Sequence, residues 1–264
     1  MKRLTFNRKL FALPYGVLSA LFVIVPLLVL LYFAFVDGDG KFTFENFADI
    51  FSKGTIKVLF YSFGVALLTT VICLVIAYPL AMILANSRFN KSALLVMMFI
   101  LPMWINSLLR MYALKNLFIE LLQIDTGFFM VLCGMVYDFF PFMLLPIYTI
   151  FVSMDKSLIE ASYDLGASPI KTFFRVKVPL SMPGVISGII MVFMPTVSTF
   201  AISDILGKPE NIMFGNLINY WFTKNHWNLG SAYAFFLLIL IGITMIISSK
   251  LTGGKAKATT GGIL

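Results

Sequence analysis

Long apolar stretches separated by short polar ones set the pattern of this chain. Five runs, 10–36, 58–87, 92–109, 178–203 and 227–249, contain no Asp, Glu, Lys or Arg, and a sixth, 126–154, is interrupted only by Asp138. A helix crosses the hydrocarbon core of a bilayer with about 20 apolar residues, and each run has roughly that length. Strands of a transmembrane barrel would be about 10 residues of alternating polarity, which these runs are not. The pattern predicts an all-α membrane protein of six transmembrane helices, at about 12–36, 58–84, 92–112, 128–154, 182–203 and 228–250. Around them lie an N-terminal segment 1–9, a polar loop 155–181 and a Gly/Thr/Lys-rich tail 251–264 whose composition predicts flexibility.

Composition removes the soluble alternative. Of 264 residues 60% are hydrophobic and 12% charged, and the mean hydropathy is +0.95; a soluble domain keeps about 25% charged. The first run follows Lys2, Arg3, Arg8 and Lys9, as a signal peptide would. It exceeds the usual apolar stretch of roughly 7–15 residues and no small-residue cleavage site follows, so a retained first helix is expected. Cys73 and Cys133 both fall within apolar runs, where a free thiol acts as a small hydrophobe, and His226 has no Cys or His at ligand spacing. No metal or other cofactor is expected.

Charge orients the spans. With six crossings, both termini and the loops after the second and fourth spans share one side. That side carries thirteen of the 20 cations and only three of the 12 acids. Cytoplasmic segments hold the excess of Lys and Arg, so both termini are expected in the cytoplasm, in a plasma (inner) membrane. The formal net charge of +8 reflects this orientation; no basic stripe interleaved with aromatics points to nucleic acid. Trp221 and Trp227 read as an interfacial belt. The turn at 88–91, "RFNK", is a tight cytoplasmic connection, and "DGDGKFTFENFADIF" at 37–51 reads as a turn-rich start followed by a short outer helix.

Residues 155–184 stand apart. Ser157 and Glu160 have capping-box spacing, Gly166 can supply a left-handed stop, and Ser168-Pro169 is a second start signal. The expected element is a helix over 158–165, a glycine turn, and a second helix with Ile170, Phe173, Phe174 and Val178 on one face, closed by Pro179. Helices this short need a surface to pack on, since isolated ones below about 12–15 residues are marginal. Lipid headgroups and a protein socket are both candidates, and the small Ala161 and Ser162 beside Glu160 suit the socket.

The same residues carry a resemblance. Glu160-Ala161-Ser162, then Gly166, then Val176-Lys177-Val178-Pro179 resembles the Glu-Ala-Ala…Gly…Ile-x-Leu-Pro pattern of permease subunits of ATP-binding-cassette importers, at matching spacing. Ser stands for the second Ala, and Val for Ile and Leu. The resemblance implies a permease domain over 10–250, with 155–181 as a cytoplasmic coupling loop seated in a separate ATPase through Glu160, Ala161, Ser162, Gly166, Val178 and Pro179. "LPMWINSLLRMYAL" at 101–114, "YDFFPFMLLPIY" at 137–148 and "ISDILGKPENIMFGNLI" at 202–218 look like the spermidine/putrescine subfamily, specifically its first permease subunit. It implies a second permease subunit, two ATP-binding subunits, an extracytoplasmic substrate-binding protein and a polyamine substrate. Many relatives would have an uncharged amide at Asp138, so its role is not carried over.

Chemistry within the spans is sparse. Nothing reads G-x-x-x-x-G-K-[ST], and no Ser/His/Asp set is present, so energy must come from a partner. Ionisable residues inside a membrane are costly and face a cavity or a partner. Asp138 reads either as a waypoint for an ammonium group, with the faces of Tyr137 and Trp104 beside it, or as half of a buried pair with Arg110. Asn106 and Asp204 are further substrate-path candidates. Another small solute, such as an oxyanion or iron complex, a non-transporting scaffold, and a self-sufficient channel or ion-coupled carrier are the competing readings.

Overall fold

The computed structural model describes residues 8–85 and 92–251. Residues 1–7, the turn at 88–91 and the tail from 252 lie outside the described residues. The helices are α1 (Arg8–Ala34), α2 (Lys53–Leu84), α3 (Ser92–Ile100), α4 (Ser107–Asn116), α5 (Phe128–Ser153), α6 (Lys156–Asp164), α7 (Pro169–Ser198), α8 (Ala201–Leu206), α9 (Phe214–Thr223) and α10 (Trp227–Leu251). Among the described residues the only β pairing is an isolated bridge, Val36 to Phe42.

Five helical stretches are long and apolar enough to cross a membrane: Pro14–Ala34, Lys53–Leu84, Phe128–Ser153, Pro169–Ser198 and Trp227–Ile246. The segment expected as a span at 92–112 is built as two legs, Leu94–Trp104 and Ser107–Leu121, which meet at 94°. Ile105 and Asn106 adopt extended ψ values of 141° and 129°, which ends the first leg. The Asn106 side chain then accepts from Leu108 N at 2.9 Å and caps the second.

The chain forms two compact units. The smaller comprises 1–56 and 217–240. Phe35 packs against the rings of Phe42, Phe44, Phe47 and Phe235. The buried Asn46 donates to Ala34 O (3.0 Å) and Val36 O (2.9 Å), and Asn228 donates to Val36 O (2.7 Å), which ties down the end of α1. Most of α1 is uncovered, with Tyr15, Phe22 and Leu28 exposed. In lipid such a surface costs nothing.

The larger unit comprises 57–216 and 241–264. Its centre is the packing of α5 on α7. Met135, Phe139, Met143 and Ile147 repeat every four residues on α5, and Ser181, Gly184, Val185, Gly188 and Val192 form a small-residue stripe on α7. Small residues let helix backbones approach closely where lipid offers no hydrophobic drive. A Cβ built at Gly188 would lie 2.7 Å from Met143 Sδ, and one at Gly184 would lie 2.8 Å from Pro146 O. Along α2, Ser62, Val65, Thr69, Cys73, Ala77 and Ala81 line the buried face. Tyr78 bonds Ser181 across to α7 (2.9 Å).

One expectation fails: Pro179 does not close the second short helix. The helix continues from Pro169 to Ser198 as one element. A wide turn at Phe173–Lys177, in which Val178 N donates to Phe173 O, precedes the proline. That one-residue slip relieves the clash between the ring and the preceding turn that would otherwise break the helix.

Replacing Gly188 with Val should cost about 1–3 kcal/mol by overpacking against Met143. Thermal unfolding of the detergent-solubilised protein should show a lowered midpoint. Gly242→Ala, with nothing within 4 Å of its new carbon, should leave the midpoint unchanged or slightly raised.

Candidate functional site

The polar element between α5 and the core of α7 folds from its own capping signals. Asp155, not Ser157, caps α6: its carboxylate accepts from Ser157 N at 2.9 Å. The expected Ser157–Glu160 capping box is therefore displaced by a stronger acceptor two residues earlier. Donation from the Ser157 backbone holds the Asp155 carboxyl below its ordinary value. Gly166 has φ of +76° and ends the helix, with Ala167 N donating to Ser162 O at 3.0 Å. Ser168 caps α7 by accepting from Lys171 N (3.3 Å), with Pro169 as the first helical residue.

The two short arms are stapled by hydroxyls. Ser162 donates to Ile159 O at 2.7 Å, so the Thr172 hydroxyl, 2.9 Å away, is the donor to Ser162 Oγ. Thr172 is wholly buried. The Ser at the motif's second Ala position therefore has a defined partner ten residues on.

No residue of α6 is buried. Leu165 is 88% exposed, and Leu158, Tyr163, Ile170 and Phe174 are exposed with it. Glu160 and Ala161 lie on the uncovered helix, Val178 is half-buried at the base, and Pro179 is exposed. A cleft of about 680 Å³ opens beside α6, where Met82 and Ile83 of α2 and Phe151 of α5 meet Lys156, Glu160, Tyr163 and Lys177. Leu158, Tyr163, Leu165, Ile170 and Phe174 thus leave apolar side chains uncovered on a polar connection.

The second group of candidates separates on inspection. Asp138 of α5 is paired with Arg110 of α4, Nη2 to Oδ1 at 2.6 Å, with side chains 14% and 9% exposed. The Arg110 guanidinium also lies over the Tyr137 ring, 5.6 Å from its centroid. Its Nε and Nη1 are buried without a hydrogen-bond partner among the described residues. Trp104 is 80% exposed at the end of the first leg, and the Asn106 side chain is spent on capping. Asp204 joins a different network: Asn216 Nδ2 donates to its carboxylate and to Phe200 O (3.2 Å), while Asn216 Oδ1 accepts from Ser203 (2.7 Å) and Met213 N (2.8 Å). Tyr137, Asp138 and Arg110 are thus one site. Trp104 and Asp204 make none of these contacts, and Asn106 meets the site through its backbone alone, its carbonyl accepting from Arg110 N at 3.2 Å.

Sequence reading singled out neither Asn216 nor Thr172, because an uncharged amide or hydroxyl gives no sign of its partner in the sequence. A carboxylate–lysine pair also escaped it. Asp125 and Lys208 meet at 2.9 Å, which holds the Asp125 carboxyl low and the Lys208 ammonium high.

The fold and this element define the class, a multi-span helical membrane protein with the fold of importer permeases. A chain in the crystal structure of a bacterial ABC transporter involved in the import of the acidic polysaccharide alginate matches with a TM-score of 0.73 at 14% identity, covering 92% of this chain and 95% of that one. The chain belongs to the family of binding-protein-dependent transport system inner membrane components, whose model matches residues 77–252. It is 35% identical over 263 residues to the spermidine/putrescine transport system permease protein PotB of Escherichia coli (strain K12), covering 90% of this chain and 96% of the relative. It is 32% identical to the protein of the same name in Haemophilus influenzae, covering 89% and 92%.

Two outcomes follow from the element's geometry. Ser162→Ala, which restores the family's alanine, should cost about 1–3 kcal/mol because it strands the buried Thr172 hydroxyl. Adding Thr172→Val should recover most of that loss, as a double-mutant cycle on the protection of 160–172 from hydrogen exchange would read. The Asp155 cap should hold fully above its unfolded pKa of about 3.9 and fail as pH falls through the lower folded value. Protection of the Ser157 amide should follow that fall, and Asp155→Asn should abolish the pH dependence.

Proposed function

We propose that the chain is the first permease subunit of an ATP-driven polyamine importer and forms half of the translocation path. In this reading it pairs with a second permease subunit, two cytoplasmic ATP-binding subunits and an extracytoplasmic substrate-binding protein. The carrying observation is the uncovered α6–α7 element, where the family's motif positions coincide with a solvent-facing apolar surface around Leu165, Ile170 and Phe174. Both termini and this element would face the cytoplasm, in keeping with the distribution of Lys and Arg.

Glu160, Ala161, Ser162 and Gly166 would seat in the ATPase, and Val178 and Pro179 would carry its motion into the spanning part of α7. Because α7 is helical from Pro169 to Ser198, displacement of its first turn moves the whole element. Spermidine and putrescine are the favoured substrates because the named relatives are spermidine/putrescine permeases. Tyr137 and Asp138 supply the chemistry an ammonium group requires, an aromatic face and a carboxylate. Trp104, Asn106 and Asp204 would line other parts of the route.

The test is labelled spermidine uptake in cells lacking only this gene. Wild type should restore uptake, and Glu160→Arg should abolish both uptake and co-purification of the ATPase at normal membrane levels. Uptake that never depends on the gene would overturn the polyamine reading. Uptake that survives Glu160→Arg would overturn the coupling role.

A further inference from the structure

Asp138 and the face of Tyr137, neighbours on α5, form a two-part cation seat. The protein's own guanidinium occupies it. Arg110 pairs with the carboxylate at 2.6 Å and covers the ring at 5.6 Å. Seat and occupant sit on different elements. Arg110 lies just past the break that turns the two legs through 94°, with its backbone N donating to Asn106 O at 3.2 Å in the first turn of α4. Tyr137 is exposed, so the seat reaches the surface along the ring.

A guanidinium carries five donors in a planar fork and binds a carboxylate best through two parallel bonds. Here only Nη2 reaches Oδ1, while Nε and Nη1 are buried and unpartnered among the described residues. Desolvating those donors costs energy that the pair does not return. A substrate ammonium gathers three donors on one nitrogen and would leave none stranded in a planar fork.

We propose that Arg110 is a built-in surrogate for the transported cation, holding the Asp138–Tyr137 seat when it is empty and yielding it to a substrate ammonium. This rests on the reading that the chain carries a cationic solute. The exchange keeps the carboxylate paired throughout, one cation leaving as another arrives, and the displaced guanidinium has to reach water or another acceptor. Arg110 acts through Asp138 and is a positioning residue. The long Arg110 side chain can leave the seat by changing rotamer while Met111, buried beside Gly134, keeps α4 packed on α5.

The surrogate competes with substrate, so its occupancy lowers apparent affinity by the fraction of time the seat is free. The experiment is equilibrium binding of labelled spermidine to the assembled transporter in nanodiscs without the solute-binding protein, alongside uptake with it. Arg110→Gln should bind spermidine at least about tenfold more tightly than wild type. Asp138→Asn should lose that binding, and the double variant Arg110→Gln/Asp138→Asn should lose it too. Arg110→Lys, which keeps the charge should the neutral variant not assemble, puts a tethered ammonium in the seat and should bind spermidine more weakly than wild type. The charge swap Arg110→Asp/Asp138→Arg should restore assembly but not uptake.

Unchanged affinity in both Arg110 variants would overturn the proposal, as would full uptake in the charge swap, which would make the pair a strut. If wild type itself takes up no spermidine, the cationic-solute reading falls and the surrogate falls with it. Wild-type uptake with unchanged Arg110 variants defeats the surrogate alone.

Discussion

The close approach of α7 to α5 at Gly184 and Gly188 is the contact on which the larger unit depends. Lipid tails are as apolar as leucine, so helices in a bilayer gain little from burying leucines against one another. They gain from backbone proximity, which a Cβ at either glycine would forbid because it would fall on Met143 or on Pro146 O. Both candidate sites of this unit are referred to that joint. The Tyr137–Asp138 site lies on α5, and α7 runs as one helix from the uncovered element into the stripe that touches α5. At about 1.5 Å per residue, α7 is long enough to join a membrane surface to the interior of the bundle.

The spans handle polar groups in two ways. Hydroxyls fold back on the preceding turn: Ser62 donates to Val58 O, Thr70 to Ala66 O, Ser187 to Pro183 O and Thr196 to Val192 O. Each donor is satisfied within its own helix, and Ser62 Oγ also accepts from Phe214 N at 2.7 Å. Charge is treated differently. Arg110 and Asp138 neutralise each other across two elements, a costly arrangement whose donors are incompletely matched. A helix bundle seeking only stability has cheaper apolar solutions at both positions.

The α6–α7 element inverts the usual order of burial. Its internal geometry is tightly specified by the Asp155 and Ser168 caps, the Gly166 turn and the Ser162–Thr172 pair, yet its outer apolar residues are left bare. A rigid element with an uncovered face is pre-organised for a partner, since little ordering entropy remains to be lost on docking. That combination is what the proposed docking to a separate ATPase requires.

The apolar runs determined the helical class and the spanning character by themselves, because length and absence of charge suffice to say what a bilayer accepts. The motif spacing at 160–179 likewise singled out the element proposed here to dock, and Gly166 and Ser168-Pro169 announced its turn and restart through local backbone chemistry. Local signals went wrong where a neighbour competed: Asp155 outbid Ser157 for the cap, and a wide turn at 173–177 carried the helix past Pro179. Only the tertiary structure decided the rest. That Asp138 is paired with Arg110 and that Asp204 belongs to Asn216 depend on residues brought together from different elements, and the segment expected as the third span proves to be two legs meeting at 94°. Periodicity reports which face a helix buries, but not which neighbour's charge or amide will meet it there, because that is fixed by the approach of one helix to another.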